Sequence, residues 1–198
     1  MEMLLLGLVL FLGVHSVRIV AEGWRTAMIG RLGEGAWKGL YSVASVAGFA
    51  LIVWGYGLAR QQPTVLWPAV PTGLKHLASL LTLGAFVLLA AAYVPGNHLK
   101  AKLRHPMILG VKLWALAHLV VNNTLADLLL FGGFLVWAVL DFRSCRQRDR
   151  ALAAQGQLAP PSAQGVRTAI AVVVGVVAWA GFAMWAHGAW IGVRPFGG

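Results

Sequence analysis

Six stretches of this chain are too apolar for a water-soluble fold: Met3–Val20, Gly39–Ala59, Leu74–Val94, Pro106–Val121, Thr124–Leu140 and Thr168–His187. A helix needs roughly 17 to 25 mostly apolar residues to cross a bilayer. Inside hydrocarbon the backbone must satisfy its own hydrogen bonds, which restricts spanning structure to helices or a closed barrel. Composition agrees, with 59% hydrophobic and only 11% charged among 198 residues, where a soluble domain carries about a quarter charged. The expected fold is all-α, a polytopic bundle of six transmembrane helices forming one membrane domain over residues 1–198. The first run reads as a retained span rather than a cleavable signal, because its basic residues follow it and no small-residue cleavage site stands out.

The formal net charge of +10 is topological here and does not call for nucleic acid. Arg25, Arg31 and Lys38 follow the first span; Lys100, Lys102 and Arg104 follow the third; Arg143, Arg146, Arg148, Arg150 and Arg167 follow the fifth. The other side holds only Arg60, Lys75 and Arg194. Lys and Arg collect in cytoplasmic loops, so both termini are expected outside and the three basic loops in the cytoplasm. The basic loop FRSCRQRDRALAAQGQLAPPSAQGVR reads as a topology determinant with a frayed helix end and a Pro-Pro linker; docking of anionic lipid or a partner is the sharper alternative. The lone Cys145 in this loop reads as a reduced thiol, and Asn122-Asn123 as a tight turn between the fourth and fifth spans.

Two of six histidines lie within the hydrocarbon span, where an ionisable group is a functional hypothesis by default. His76, His98, His105 and His187 fall at the edges. His15 and His118 do not. Both close the same pattern, GLVLFLGVH (Gly7–His15) and GVKLWALAH (Gly110–His118): a glycine, seven residues with an aromatic in the middle, then the histidine. The spans carrying them run in opposite directions, so a duplication would be a 3+3 inverted repeat. At 1.5 Å per residue His15 lies ~6 Å to the cytoplasmic side of its span's midpoint, and His118 ~7 Å to the outer side of its own. Side chains lean toward their helix N-terminus, so both imidazoles lean toward the midplane. That arrangement suits axial ligation of haem iron; in the plainer reading the histidines hydrogen-bond across helices without haem.

Spacing names the supporting residues. Arg18, one turn past His15, is placed to pair with a haem propionate or to anchor the span's cytoplasmic end. Trp114 and Asn122 share the face of His118; Asn122 either orients the imidazole or caps the turn. Lys112 shares the face of His105, away from His118, and can snorkel. Asp127 reads as an interfacial cap.

The stretches LFLGVHSVRIV (Leu10–Val20), RLGEGAWKGLYSVASVAGFALIVWGYG (Arg31–Gly57) and RHPMILGVKLWALAHLVVN (Arg104–Asn122) resemble the NnrU family, and the resemblance covers nearly the whole chain. NnrU proteins are polytopic bacterial membrane proteins linked by name and gene context to nitrite and nitric oxide metabolism. More remotely the chain is similar to the plant 15-cis-zeta-carotene isomerase, a membrane enzyme using b-type haem with two histidine ligands. Its motifs include an RHP and an AH thirteen residues apart, as His105 and His118 stand here, and an HS pair matching His15-Ser16. That resemblance implies haem b with His15 and His118 as iron ligands and His105 as an additional motif histidine. Outside these patches the similarity to the isomerase is faint, and Asn122-Asn123 stands where it has a different polar turn. The haem site therefore transfers further than the substrate does.

Two function classes follow. One is a haem-dependent cis-trans isomerase of a lipophilic polyene, or a factor in nitrite and nitric oxide metabolism. The other is non-enzymatic: an electron-transfer, nitric-oxide-sensing or assembly protein for denitrification. Membrane lipids are the expected surroundings in either case.

Overall fold

The computed structural model describes residues 1–157 and 162–196. Its helices are α1 (Glu2–Val20), α2 (Glu22–Leu32), α3 (Glu34–Ala59), α4 (Thr72–Tyr93), α5 (His98–Leu103), α6 (Pro106–Val121), α7 (Leu125–Ala154) and α8 (Gly165–Gly181). A π-helical segment, Phe182–Ile191, continues α8. The all-α expectation holds. Among the described residues five helices are long and apolar enough to cross a membrane: α1, α3, α4, α7 and α8 with its π-helical extension. The fourth expected span, α6, is apolar but has 16 residues, about 24 Å at 1.5 Å per residue, short of a hydrocarbon core about 30 Å thick.

Burial follows residue size in the sense a membrane dictates. Ala85, Ala91, Ala115, Ala117, Ala138 and Ala171 are buried, whereas Val43, Val46, Val53, Val173 and Val177 are well exposed. Lipid tails are as apolar as valine, so large side chains gain little by turning inward, and small residues let backbones approach. In water the same exposed surface would be an aggregation liability.

Two segments read as loops are helical. Residues 22–32 form α2, and Arg143–Arg150 continue α7 instead of leaving it. Arg, Gln, Leu and Ala are strong helix formers, and the Arg148 guanidinium donates back one turn to Ser144 Oγ (2.6 Å) and Cys145 Sγ (2.9 Å). Cys145 is buried and forms no disulfide. Beyond α7 the chain turns through Gly156 at φ 67°; the Pro-Pro linker lies outside the described residues.

The chain divides into two compact units. The first comprises Met1–Pro68 and Asn122–Asp141. Here α1 packs along α3 with backbones in close approach: a β-carbon on Gly7 would lie 2.5 Å from the Ile52 amide nitrogen. Thr64–Leu66 pairs with residues 123–125 through Leu66 N–H to Asn123 O (2.8 Å) and Leu125 N–H to Thr64 O (2.9 Å), and Asn123 Nδ2 donates to Trp67 O (2.7 Å). Asp127 is the cap expected: Thr124 donates to Asp127 Oδ2 from its amide (3.1 Å) and its hydroxyl (2.6 Å), while Asp127 N–H donates to Thr124 Oγ1 (3.3 Å). This reciprocal cap does a second job, since Tyr56 Oη donates to Asp127 Oδ1 at 2.5 Å and ties the end of α3 to the start of α7.

The second unit comprises Ala69–Val121 and Phe142–Gly198, with α6 and α8 packed on α4. Gly175 of α8 lies so close to α4 that a β-carbon would meet Val87 Cα at 2.5 Å. The α4–α5 turn is fixed by Asn97, wholly buried, whose amide donates to Ala91 O and Val94 O while its Oδ1 accepts from Lys100 N–H. His98 N–H donates to Thr168 Oγ1 and Gln164 N–H to Gly96 O, joining this turn to the start of α8.

Candidate functional site

His15 lies in the C-terminal half of α1, where its Nδ1 sits 2.6 Å from Phe11 O. A carbonyl oxygen only accepts, so Nδ1 carries the proton and the lone pair belongs to Nε2. The Phe11 ring stacks on the imidazole with centroids 4.2 Å apart. Tyr41 of α3 stands at 5.2 Å and Trp137 of α7 meets it edge-on at 6.1 Å. The half-buried imidazole thus has three aromatic neighbours from three helices of the first unit. Trp137 Nε1 is buried without a hydrogen-bond partner among the described residues, although a buried indole N–H ordinarily finds an acceptor.

His118 repeats the local arrangement in the second unit. Its Nδ1 lies 2.8 Å from Trp114 O, four residues back, giving the same tautomer, and the Trp114 ring lies 5.4 Å away. The shared sequence pattern therefore has a shared structural content. In each stretch the central aromatic supplies both the carbonyl and the ring beside the histidine. The glycine that opens each stretch marks a close helix crossing: Gly7 against α3, and Gly110 with Ala85 O only 3.0 Å from where a β-carbon would sit.

The remaining candidates stand apart from these two clusters. Arg18 is exposed and pairs with Glu22 at 3.6 Å, the carboxylate being shared with Arg25 at 3.2 Å. The Nδ1 hydrogen bond of His118 goes to Trp114, and Asn122 lies in the short link after α6. His105 stands immediately before α6 and bonds through Nε2 to Asp149 Oδ2 at 3.0 Å. Its ring meets Phe142 edge-on at 6.3 Å, and Lys112 Nζ lies 4.0 Å over the same Phe142 ring, so His105 and Lys112 share a face as their spacing requires. His76 and His98 are exposed, and His187 turns its Nδ1 to Val193 O at 2.6 Å.

Sequence reasoning missed Tyr41, Trp137 and Asp149. Each comes from a different helix than the histidine it faces, and no periodicity within one helix reports such a neighbour. Among the described residues no three His, Cys, Asp or Glu side chains converge as a metal centre.

No curated protein and no solved structure matches the chain. The family model described as NnrU protein matches residues 3–195, and the chain belongs to the NnrU family.

Proposed function

We propose that this NnrU protein binds b-type haem in the bacterial inner membrane, with His15 and His118 as the residues that would hold its iron. The observation that carries the reading is the common state of the two imidazoles. Each gives its Nδ1 proton to a backbone carbonyl of its own helix and so keeps the lone pair on Nε2, as metal-ligating histidines ordinarily do. Two imidazoles are all that a porphyrin-held iron requires of the protein. The residues fit such a group: Phe11, Tyr41 and Trp137 offer apolar ring surface beside His15, and the unpartnered Trp137 N–H is a donor in want of an acceptor. Haem would supply a redox-active iron whose coordination changes with oxidation state.

The protein's own residues have three tasks in this reading. Phe11 and Trp114 fix imidazole orientation and tautomer through their carbonyls. The aromatic neighbours of His15 exclude water. Arg18, one turn toward the basic end of α1, would meet a propionate only by giving up its pairing with Glu22. The role is either isomerisation of a lipophilic polyene or support of nitrite and nitric oxide metabolism; electron transfer, nitric-oxide sensing or assembly of a denitrification enzyme is the non-enzymatic alternative. The visible spectrum of detergent-purified protein, oxidised and dithionite-reduced, with a pyridine haemochrome, tests the haem. Protein that stays haem-free after expression with ample haem supply ends the proposal.

Two further expectations belong to this reading. Co-expression with a pathway that accumulates cis-carotenoids should shift the isomer profile in a His118-dependent way. An unchanged profile alongside a normal haem spectrum would favour the non-enzymatic class. The Lys and Arg distribution puts the termini in the periplasm, so a periplasm-active reporter should be active when fused after Gln62 and silent after Gln155. The reverse pattern overturns the orientation.

A further inference from the structure

The second unit holds a cavity of about 280 Å³, lined by Gly96, Lys100, Arg104, His105, Asp149 and Ser162 among others, which the haem reading leaves unused. Arg104 is the residue that singles it out. Its backbone has φ 64° and ψ −46°, and His105 N–H donates to Leu103 O at 2.8 Å across it. This is a γ-turn of the positive-φ kind, rare and strained for any residue with a β-carbon. It is the only non-glycine residue at positive φ among those described. Glycine would take the turn without strain. An arginine held there instead presents a guanidinium at the cavity wall, and that guanidinium has no hydrogen-bond or ion-pair partner among the described residues.

The other lining groups leave the balance positive. Asp149 is the one acid among the described lining residues, and its Oδ2 is already committed to His105 Nε2 at 3.0 Å and Arg146 Nη1 at 3.6 Å. Lys100 Nζ spends one donor on Ala92 O at 2.8 Å and keeps two. Asn97 is consumed by the turn it caps. What remains available is five N–H donors from Arg104 and two from Lys100, in a space at the lower end of the roughly 300–1,000 Å³ of ordinary ligand pockets. Forked guanidinium donors beside an ammonium match phosphate oxygens. We propose that this cavity binds a phosphate group, carried by an anionic lipid headgroup or free in solution, with Arg104 as its principal donor and Lys100 as its second.

Arg104→Gly separates the site from the fold, because it removes the charge and the strain together. Without ligand, Arg104→Gly should melt no lower than wild type. Detergent-purified wild type should melt higher as inorganic phosphate is added, or in vesicles containing phosphatidylglycerol compared with purely zwitterionic vesicles. Loss of a charge-assisted hydrogen bond weakens binding roughly 10- to 100-fold, so half-saturation in Arg104→Gly should rise by that factor, and Arg104→Asn, which tolerates positive φ, should behave alike. Replacing the exposed Arg143 outside the cavity should change nothing. A response to phosphate alone identifies a free anion, and one confined to phosphatidylglycerol vesicles identifies a lipid headgroup; either supports the site. No response to both probes, or a response undiminished in both Arg104 variants, overturns it.

Discussion

If the protein holds the proposed haem, His15→Ala and His118→Ala should each strip it or turn its iron high-spin, while His76→Ala and His98→Ala keep a near-normal low-spin spectrum. The difference in scale is physical. An axial histidine supplies one of two strong iron bonds, whereas an exposed histidine supplies at most a solvated hydrogen bond, and a net hydrogen bond contributes only about 0.5–1.5 kcal/mol. His105→Ala is the discriminating control. His105 stands just before α6 and His118 near its far end; thirteen residues at 1.5 Å each put them about 20 Å apart along the axis, so both cannot hold one iron. His105 is instead bonded to Asp149, the two side chains 24% and 16% exposed, a pairing whose loss costs about 1 kcal/mol after screening by solvent. His105→Ala should therefore keep its haem spectrum and melt somewhat lower. A low-spin spectrum lost in His105→Ala but kept in His118→Ala would move the ligand assignment from one residue to the other.

What is legible in the sequence is whatever one helix encodes on its own. The apolar runs locate the helices, although they stop short where Arg143–Arg150 prolong α7, because hydropathy marks where lipid ends and not where a helix ends. The i−4 spacing places Phe11 behind His15 and Trp114 behind His118, and the structure adds that the carbonyls of these residues hold the imidazole protons. Asp127 is readable as a cap from its position three residues after Thr124, but not its bond to Tyr56, which is 71 residues away. Tyr41 and Trp137 beside His15, and Asp149 beside His105, arrive by packing between helices, to which composition and periodicity are blind. The γ-turn at Arg104 is equally hidden. Arg-His-Pro marks a break before α6, since the residue preceding proline avoids helical geometry, yet nothing in those letters says that the strain falls on the arginine.

Gly7→Ala and Gly55→Ala should each destabilise the first unit by about 3 kcal/mol or more, at the upper end of what overpacking a core costs. A new β-carbon at Gly7 would lie 2.5 Å from Ile52 N and 2.9 Å from Gly48 O, and one at Gly55 would collide with Leu4 N. These neighbours are backbone atoms of a facing helix, so no rotamer change relieves the clash; α1 and α3 must separate along their length. Gly175→Ala makes the matching test in the second unit, against Val87 Cα at 2.5 Å. The sign reverses where space is open. At Gly13 and Gly57 nothing lies within 4 Å of where a β-carbon would sit, and exchanging a helical glycine for alanine there should stabilise by roughly 0.5–1 kcal/mol through lost chain entropy. Thermal unfolding in detergent of the five single variants reads both signs in one series. If Gly7→Ala melts with Gly13→Ala instead of far below it, close backbone contact is not what holds α1 to α3. Were the prediction to hold, the glycine that opens each histidine pattern would be the point that sets the helix crossing, with the imidazole about two turns further along the same helix.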